Sequence, residues 1–176
     1  MPYSIELYFD TSFEQRIFNL WSVLENKSLP SKYSKLKIRP HLTLAVMDKC
    51  DETEVSDIVK YLYDGTSSFF VNFPAICTNS GESQFIFLLP IINKTLNKIR
   101  HQLVPMLIQS KNQPREQYLL NNWLPHCTIS KELSLDQSKQ TMAISQDENI
   151  CGITRIIEVG FVEFNPRRDI LVSRLN

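Results

Sequence analysis

Glycine is scarce in this chain, with 4 in 176 residues. So few glycines build neither a Walker loop nor a Gly-x-Gly-x-x-Gly turn, which disfavours ATP or a dinucleotide held on a glycine loop. Net charge is missing as well, because 19 lysines and arginines balance 19 aspartates and glutamates. Tight, non-specific binding of long duplex nucleic acid rests on neutralising many phosphates and is therefore disfavoured. A small nucleotide or an RNA end remains compatible. There is no apolar run long enough to span a bilayer. Aspartate and glutamate fall within the first ten residues, where a secretory leader would be basic and apolar. No membrane association is expected, and a cytoplasmic location is. The cysteines Cys50, Cys77, Cys127 and Cys151 stand singly, with no Cys-x-x-Cys. Reduced thiols are expected rather than a disulfide framework. Since no close pair of ligands has the usual spacing, neither a metal nor another cofactor is expected.

What the sequence does contain is a short phrase used twice. Pro40-His41-Leu42-Thr43-Leu44 and Pro125-His126-Cys127-Thr128-Ile129 each carry a proline, a histidine, an apolar residue, a threonine and an apolar residue. Only three histidines exist, and two occupy this frame. On a strand, residues i and i+2 share a face and lie roughly 7 Å apart. His41 therefore points with Thr43, and His126 with Thr128, while Leu42 and Cys127 point the other way. Two such strands facing each other would surround one small space with two imidazoles and two hydroxyls.

The segments between the motifs form a regular order. A strand is expected over Tyr3–Phe9. Thr11-Ser12-Phe13-Glu14 reads as a capping box, opening a helix with Phe13, Ile17, Leu20, Trp21 and Leu24 on one face. Polar residues 26–37 lead to a strand over His41–Met47. Asp51-Glu52-Thr53-Glu54 starts a second helix, striped by Val55, Ile58, Val59 and Leu62. Strands over 69–78 and 84–89 flank the turn Asn79-Ser80-Gly81-Glu82. A helix over 92–109 carries Leu96, Ile99, Leu103 and Leu107, and Pro105 should kink it or end it early. After the polar residues 111–122 comes a strand over 126–131. Ser134-Leu135-Asp136-Gln137 caps a weaker helix to about residue 145. Strands over 152–164 and 169–175 finish the chain, joined by the turn Asn165-Pro166-Arg167-Arg168.

This order is duplicated. The two histidines stand 85 positions apart, and 40 residues separate His41 from Gly81 in the first turn and His126 from Pro166 in the second. Strand, capped helix and hairpin follow each histidine with matching lengths, in a chain of a size expected for one domain of two lobes, residues 1–176.

At the segments His41-Leu42-Thr43-Leu44 and His126-Cys127-Thr128-Ile129 the chain resembles the two-histidine (2H) phosphoesterase superfamily, with its 2′-5′ RNA ligase-like and cyclic phosphodiesterase members. Both segments match the His-x-Thr/Ser-x signature. The resemblance implies an α+β, bilobal, pseudo-twofold fold with two antiparallel sheets, helices outside, and a central cleft lined by the motifs. It also implies metal-independent cleavage or transfer at a 2′,3′-cyclic phosphate or a 2′-5′ linkage, by an enzyme acting on a small nucleotide or RNA end. A monomer is expected.

The residues support that chemistry independently. Breaking a phosphodiester takes a base for the incoming oxygen and an acid for the departing one, and histidine fills either role near neutral pH. In the usual family reading His126 is the base and His41 the acid, and the sequence alone does not separate this from the reverse. Thr43 and Thr128, on the faces of the histidines, would bind the non-bridging oxygens. The same pocket without turnover would make a nucleotide or RNA-end binding protein, and the reverse reaction a 2′-5′ RNA ligase. Arg39, Lys131, Arg167 and Arg168 are further cations to consider near the phosphate. Phe9, Phe85 and Trp123 are aromatics that could stack on a base, Trp123 foremost, with core packing the favoured reading for the two phenylalanines. His101 lies outside any motif and reads as structural. Cys127 adjoins His126 in sequence, but strand alternation turns it into the core.

Overall fold

The structure, a computed structural model, describes residues 2–31, 38–164 and 166–176. Residues 32–37 of the polar stretch before the first motif, and Asn165 of the last turn, lie outside them. Eight strands and four α-helices are described: β1 (Tyr3–Phe9), α1 (Thr11–Asn26), β2 (His41–Met47), α2 (Glu52–Asp64), β3 (Phe69–Phe73), β4 (Ala75–Thr78), β5 (Gln84–Leu89), α3 (Lys94–Gln109), β6 (Cys127–Leu133), α4 (Leu135–Asp147), β7 (Gly152–Glu163) and β8 (Arg168–Arg174). A 3₁₀ turn at Glu116–Tyr118 interrupts the irregular segment before β6. The fold is α+β, with two antiparallel sheets as the resemblance implies.

The larger sheet runs β2-β1-β7-β3, and the smaller runs β4-β5-β6. The twelve-residue β7 pairs with β1 along one edge, while β3 and β8 share its other edge end to end. Each motif strand lies beside the strand that opens its half of the chain, β2 against β1 and β6 against β5. The order β1-α1-β2-α2 is thus repeated as β5-α3-β6-α4. The stretch 69–78, expected as one strand, divides at Pro74. Proline has no N–H to give a ladder, and the chain uses the break to cross over. Phe69–Phe73 pair with β7 in the first sheet, and Ala75–Thr78 pair with β5 in the second.

The helical stripes are buried as their spacing requires. Phe13, Ile17, Leu20, Trp21 and Leu24 of α1, Val55, Ile58, Val59 and Leu62 of α2, and Leu96, Ile99, Leu103 and Leu107 of α3 all join one continuous core. The cap of α1 differs from expectation. Asp10, one residue ahead of the expected box, accepts from Phe13 N at 3.0 Å, and its other oxygen accepts from Thr154 Oγ1 and Arg155 N. An aspartate able to bond the helix and β7 together outcompetes a threonine that can cap only the helix. Ser134 and Gln137 form the expected capping box on α4. The helix α3 continues through Pro105 to Gln109. Burial of Leu107 and the bond from Ser110 N to Met106 O at 3.0 Å hold the turn beyond the proline.

Gly160 of β7 is required by close approach. A Cβ there would lie 2.5 Å from the Tyr8 ring and hydroxyl. Gly160→Ala is expected to cost about 2 kcal/mol, the usual penalty of overpacking, read as a lower urea midpoint with unchanged slope.

Candidate active site

The two motifs meet in a cavity of about 500 Å³ between the sheets, within the roughly 300–1,000 Å³ typical of small-molecule sites. His41, Thr43, His126 and Thr128 all line it. His41 begins β2, whereas His126 immediately precedes β6, one residue later than the expected strand start. Leu42 and Cys127, on the opposite faces, are fully buried.

The proline of each motif now has a structural reading. His41 Nδ1 lies 2.7 Å from Arg39 O, and His126 Nδ1 lies 2.9 Å from Leu124 O, in each case the carbonyl just ahead of the proline. Proline fixes its own φ and biases the preceding residue to an extended conformation. A carbonyl can only accept, so each Nδ1 carries the hydrogen. This sets the tautomer and leaves Nε2 of each ring available.

Irregular pairing aims the remaining groups. Ile5 opposes Ala45 but Glu6 opposes Thr43, so Leu44 is an extra residue that turns Thr43 and Val46 toward the cavity. In β6 the register shifts again, and Glu132 takes a φ of 60°, bringing Lys131 and Glu132 to the lining. The outer edge of β2 is held by α3 and by the loop before the second motif. Trp123 Nε1 donates to Thr43 O at 3.0 Å, the buried Arg100 guanidinium donates to Leu44 O, and Arg115 N donates to Val46 O at 2.8 Å.

The rings sit in unlike surroundings. Burial holds the half-buried His126 below the usual histidine range, and the nearby His41 pushes the same way against the Leu124 carbonyl. The Phe87 and Phe85 rings pack on His126 with centroids 5.5 and 5.8 Å away. His41 Nε2 instead lies 3.7 Å from Glu6 Oε1, an ion pair when the ring carries both protons. Ser4 Oγ donates to Glu6 Oε1 at 2.6 Å, and Tyr8 OH and Arg167 Nη2 donate to Oε2 at 2.9 and 3.3 Å. Burial alone would raise the Glu6 carboxyl, but the charges of His41 and Arg167 and the two hydroxyl bonds bring it below the usual carboxylate range. Tyr118, from the 3₁₀ turn, shares a hydrogen bond with Thr43.

Of the further residues singled out in the sequence, Lys131, Arg167 and Phe85 line the cavity. Arg39 does not: it bonds Glu14 and Glu158 and stacks over Tyr8. Arg168 bonds Glu52 and Glu163. Phe9 is fully buried in the core. Trp123 is spent on Thr43 O and on stacking under Arg100, centroid 4.5 Å from the guanidinium carbon, so Phe85 takes the cleft position expected of Trp123. His101 Nδ1 lies 2.9 Å from Asn97 O on α3, away from the cavity. The Cys127 thiol is pushed up to about 12, chiefly by burial, which suits a core residue rather than a nucleophile. Among the described residues, no three His, Cys, Asp or Glu are grouped to hold a metal ion, and no helix is long and apolar enough to cross a membrane. Glu6, Ser4 and Tyr118 were not singled out from the sequence. The available signal for Glu6 was a carboxylate at the centre of an apolar strand, which is buried only if paired.

No family model matches the chain, and no curated protein matches its sequence. Solved structures do match in fold. E. coli LigT in apo form superposes with a TM-score of 0.63 at 9% identity, over 99% of this chain and 97% of LigT. A phosphoesterase gives a TM-score of 0.62 at 9% identity, over 99% of this chain and 98% of that one. E. coli LigT complexed with 3′-AMP gives 0.60 at 11% identity, over 100% of this chain and 97% of LigT. The chain has the LigT-like fold, with both of its histidine motifs on the walls of one cavity.

Proposed function

We propose that this protein is a 2H-type phosphodiesterase acting on a 2′,3′-cyclic phosphate or a 2′-5′-linked nucleotide, carried by a single two-lobed domain over residues 1–176. The observation that carries this reading is the matched locking of the two rings: each Nδ1–H is bound by the carbonyl ahead of a proline, and each Nε2 is left for the shared cavity. A binding protein needs no such pair of proton-transfer groups.

His126 is the base. Its partly buried ring favours the neutral form, whose Nε2 takes a proton from the attacking water. His41 is the acid. Its Nε2–H passes a proton to the ribose oxygen as the P–O bond to that oxygen breaks, leaving a phosphate monoester. Thr43 and Thr128 donate to the non-bridging oxygens as negative charge gathers on them. Lys131 adds positive charge at the lining. Phe85, stacked on Phe87 with centroids 4.7 Å apart, offers a face for the base. The likeness to LigT, which has been crystallised with 3′-AMP, ATP and phosphate, favours a small nucleotide as the ligand. We place the protein in the cytoplasm, where its free thiols would stay reduced.

The test is turnover of 2′,3′-cyclic nucleotides and 2′-5′ oligoadenylates, read by mass spectrometry with EDTA present. Hydrolysis with a bell-shaped pH dependence of kcat/KM is expected. Saturable binding without product from any of these substrates would contradict it and favour the binding protein.

A further inference from the structure

Glu6 breaks the symmetry of the two halves. In the first, β1 lies beside β2 with Glu6 opposite Thr43. In the second, β5 lies beside β6 with Phe87 opposite Thr128. The equivalent place thus holds a carboxylate near His41 and a phenyl ring against His126. The Glu6 side chain is only 5% exposed, and burying a charge is costly unless it is paired and hydrogen-bonded. Here both oxygens are engaged, Oε1 by Ser4 and Oε2 by Tyr8 and Arg167, and Oε1 is the atom that faces His41 Nε2 at 3.7 Å.

We propose that Glu6 is a positioning residue whose buried carboxylate pairs with the His41 ring when that ring carries both protons, fixing which of two otherwise matched histidines serves as the acid. This rests on the phosphodiesterase reading and deepens it. At 3.7 Å the carboxylate is too far for a strong hydrogen bond, so it supplies charge without capturing the proton that His41 must give away. The Ser4 and Tyr8 hydroxyls keep the carboxylate from closing on the ring. The other groups around His41 are Tyr8 on β1, Arg167 before β8, His126 and Cys127 at β6, Tyr118 acting through Thr43, and, on the same cavity lining, Lys131 and Glu132 of β6. Arg167 is the cation tied to the same carboxylate, and its Nη2 is shared among Glu6, Tyr8 and Asp169.

Two variants separate this role from a merely structural one. In Glu6→Gln the alkaline limb of the kcat/KM profile, which reports loss of the acid, is expected to move to lower pH by about one unit, with the acid limb in place. In Arg167→Met the alkaline limb is expected to move the opposite way, because a competing cation is gone. A structural network would instead give losses of the same kind in both, without moving either limb. The His41 ring is also followed by NMR titration without substrate, and its midpoint is expected to fall in Glu6→Gln and rise in Arg167→Met. An unmoved His41 midpoint in both variants overturns the proposal. If the ring moves as expected but wild-type protein turns over no substrate, Glu6 retains its hold on His41 and the phosphodiesterase reading is what fails.

Discussion

Alanine at His126 or at His41 is expected to lower kcat/KM for a 2′,3′-cyclic nucleotide by about 10³-fold, within the usual contribution of a positioned general acid or base. Each ring makes one Nδ1 bond to a backbone carbonyl, worth about 1 kcal/mol, and a further contact of similar size, with Phe85 and Phe87 for His126 and with Glu6 for His41. Melting temperature should therefore fall by about 6 °C or less in either variant. Loss of activity without loss of fold is the signature. In the proposed mechanism the two groups act on the same phosphate in one step, so the double variant should be little worse than either single one, as for other groups that work as a unit. Full additivity would mean that the rings contribute separately. Wild-type rates in both single variants would remove them from the chemistry.

The largest expected effect on stability belongs to Arg100, 2% exposed and far from any motif in sequence. Its guanidinium donates to Leu44 O at the irregular point of β2 and to Tyr118 O at 2.6 Å on the 3₁₀ turn, and it stacks on Trp123. Burial lowers it to about 10, still well above neutral, so it stays charged while tying the edge of one motif strand to the loop ahead of the other. Arg100→Met keeps the stem that packs on the indole but removes the donor to the Leu44 and Tyr118 carbonyls and the longer bond to Leu119 O. The expected cost is roughly 3 kcal/mol, seen as a melting temperature lower by about 9 °C. Lysine cannot replace the planar fork and should recover only part of it. At the exposed Arg155, stacked over Phe70 at 5.8 Å, the same change to methionine should stay within about 0.5 kcal/mol.

These two predictions differ in how visible their residues are before folding. The histidines announce themselves, because a rare residue in a repeated five-residue frame carries its meaning locally, and strand alternation gives the shared face with Thr43 and Thr128. The helices were legible for the same local reason, since an apolar stripe at 3.6-residue spacing must find a core. Arg100 sits on such a helix, and nothing local marks it, because its partners Leu44 and Tyr118 depend on how the halves close. Glu6 is harder still. Strand β1 lies between β2 and β7 and is buried on both faces, so no alternation marks its inner side, and its partner Arg167 arrives from the far end of the chain. Arg39 is close to His41 in sequence, but its two carboxylate partners, Glu14 and Glu158, are brought to it only by the folded sheet. Trp123 was preferred over Phe85 for a similar reason: adjacency to the motif is local, whereas its bond to Thr43 O is made across 80 residues.

The convergence of both rings on one phosphate is tested most directly by titrating the protein with 3′-AMP while following the ring signals of His41 and His126 by NMR. Both are expected to shift along one binding curve, with the third histidine, His101, unmoved as an internal control. A nucleotide that binds and shifts only one of the pair, or shifts His101 instead, would contradict a shared site.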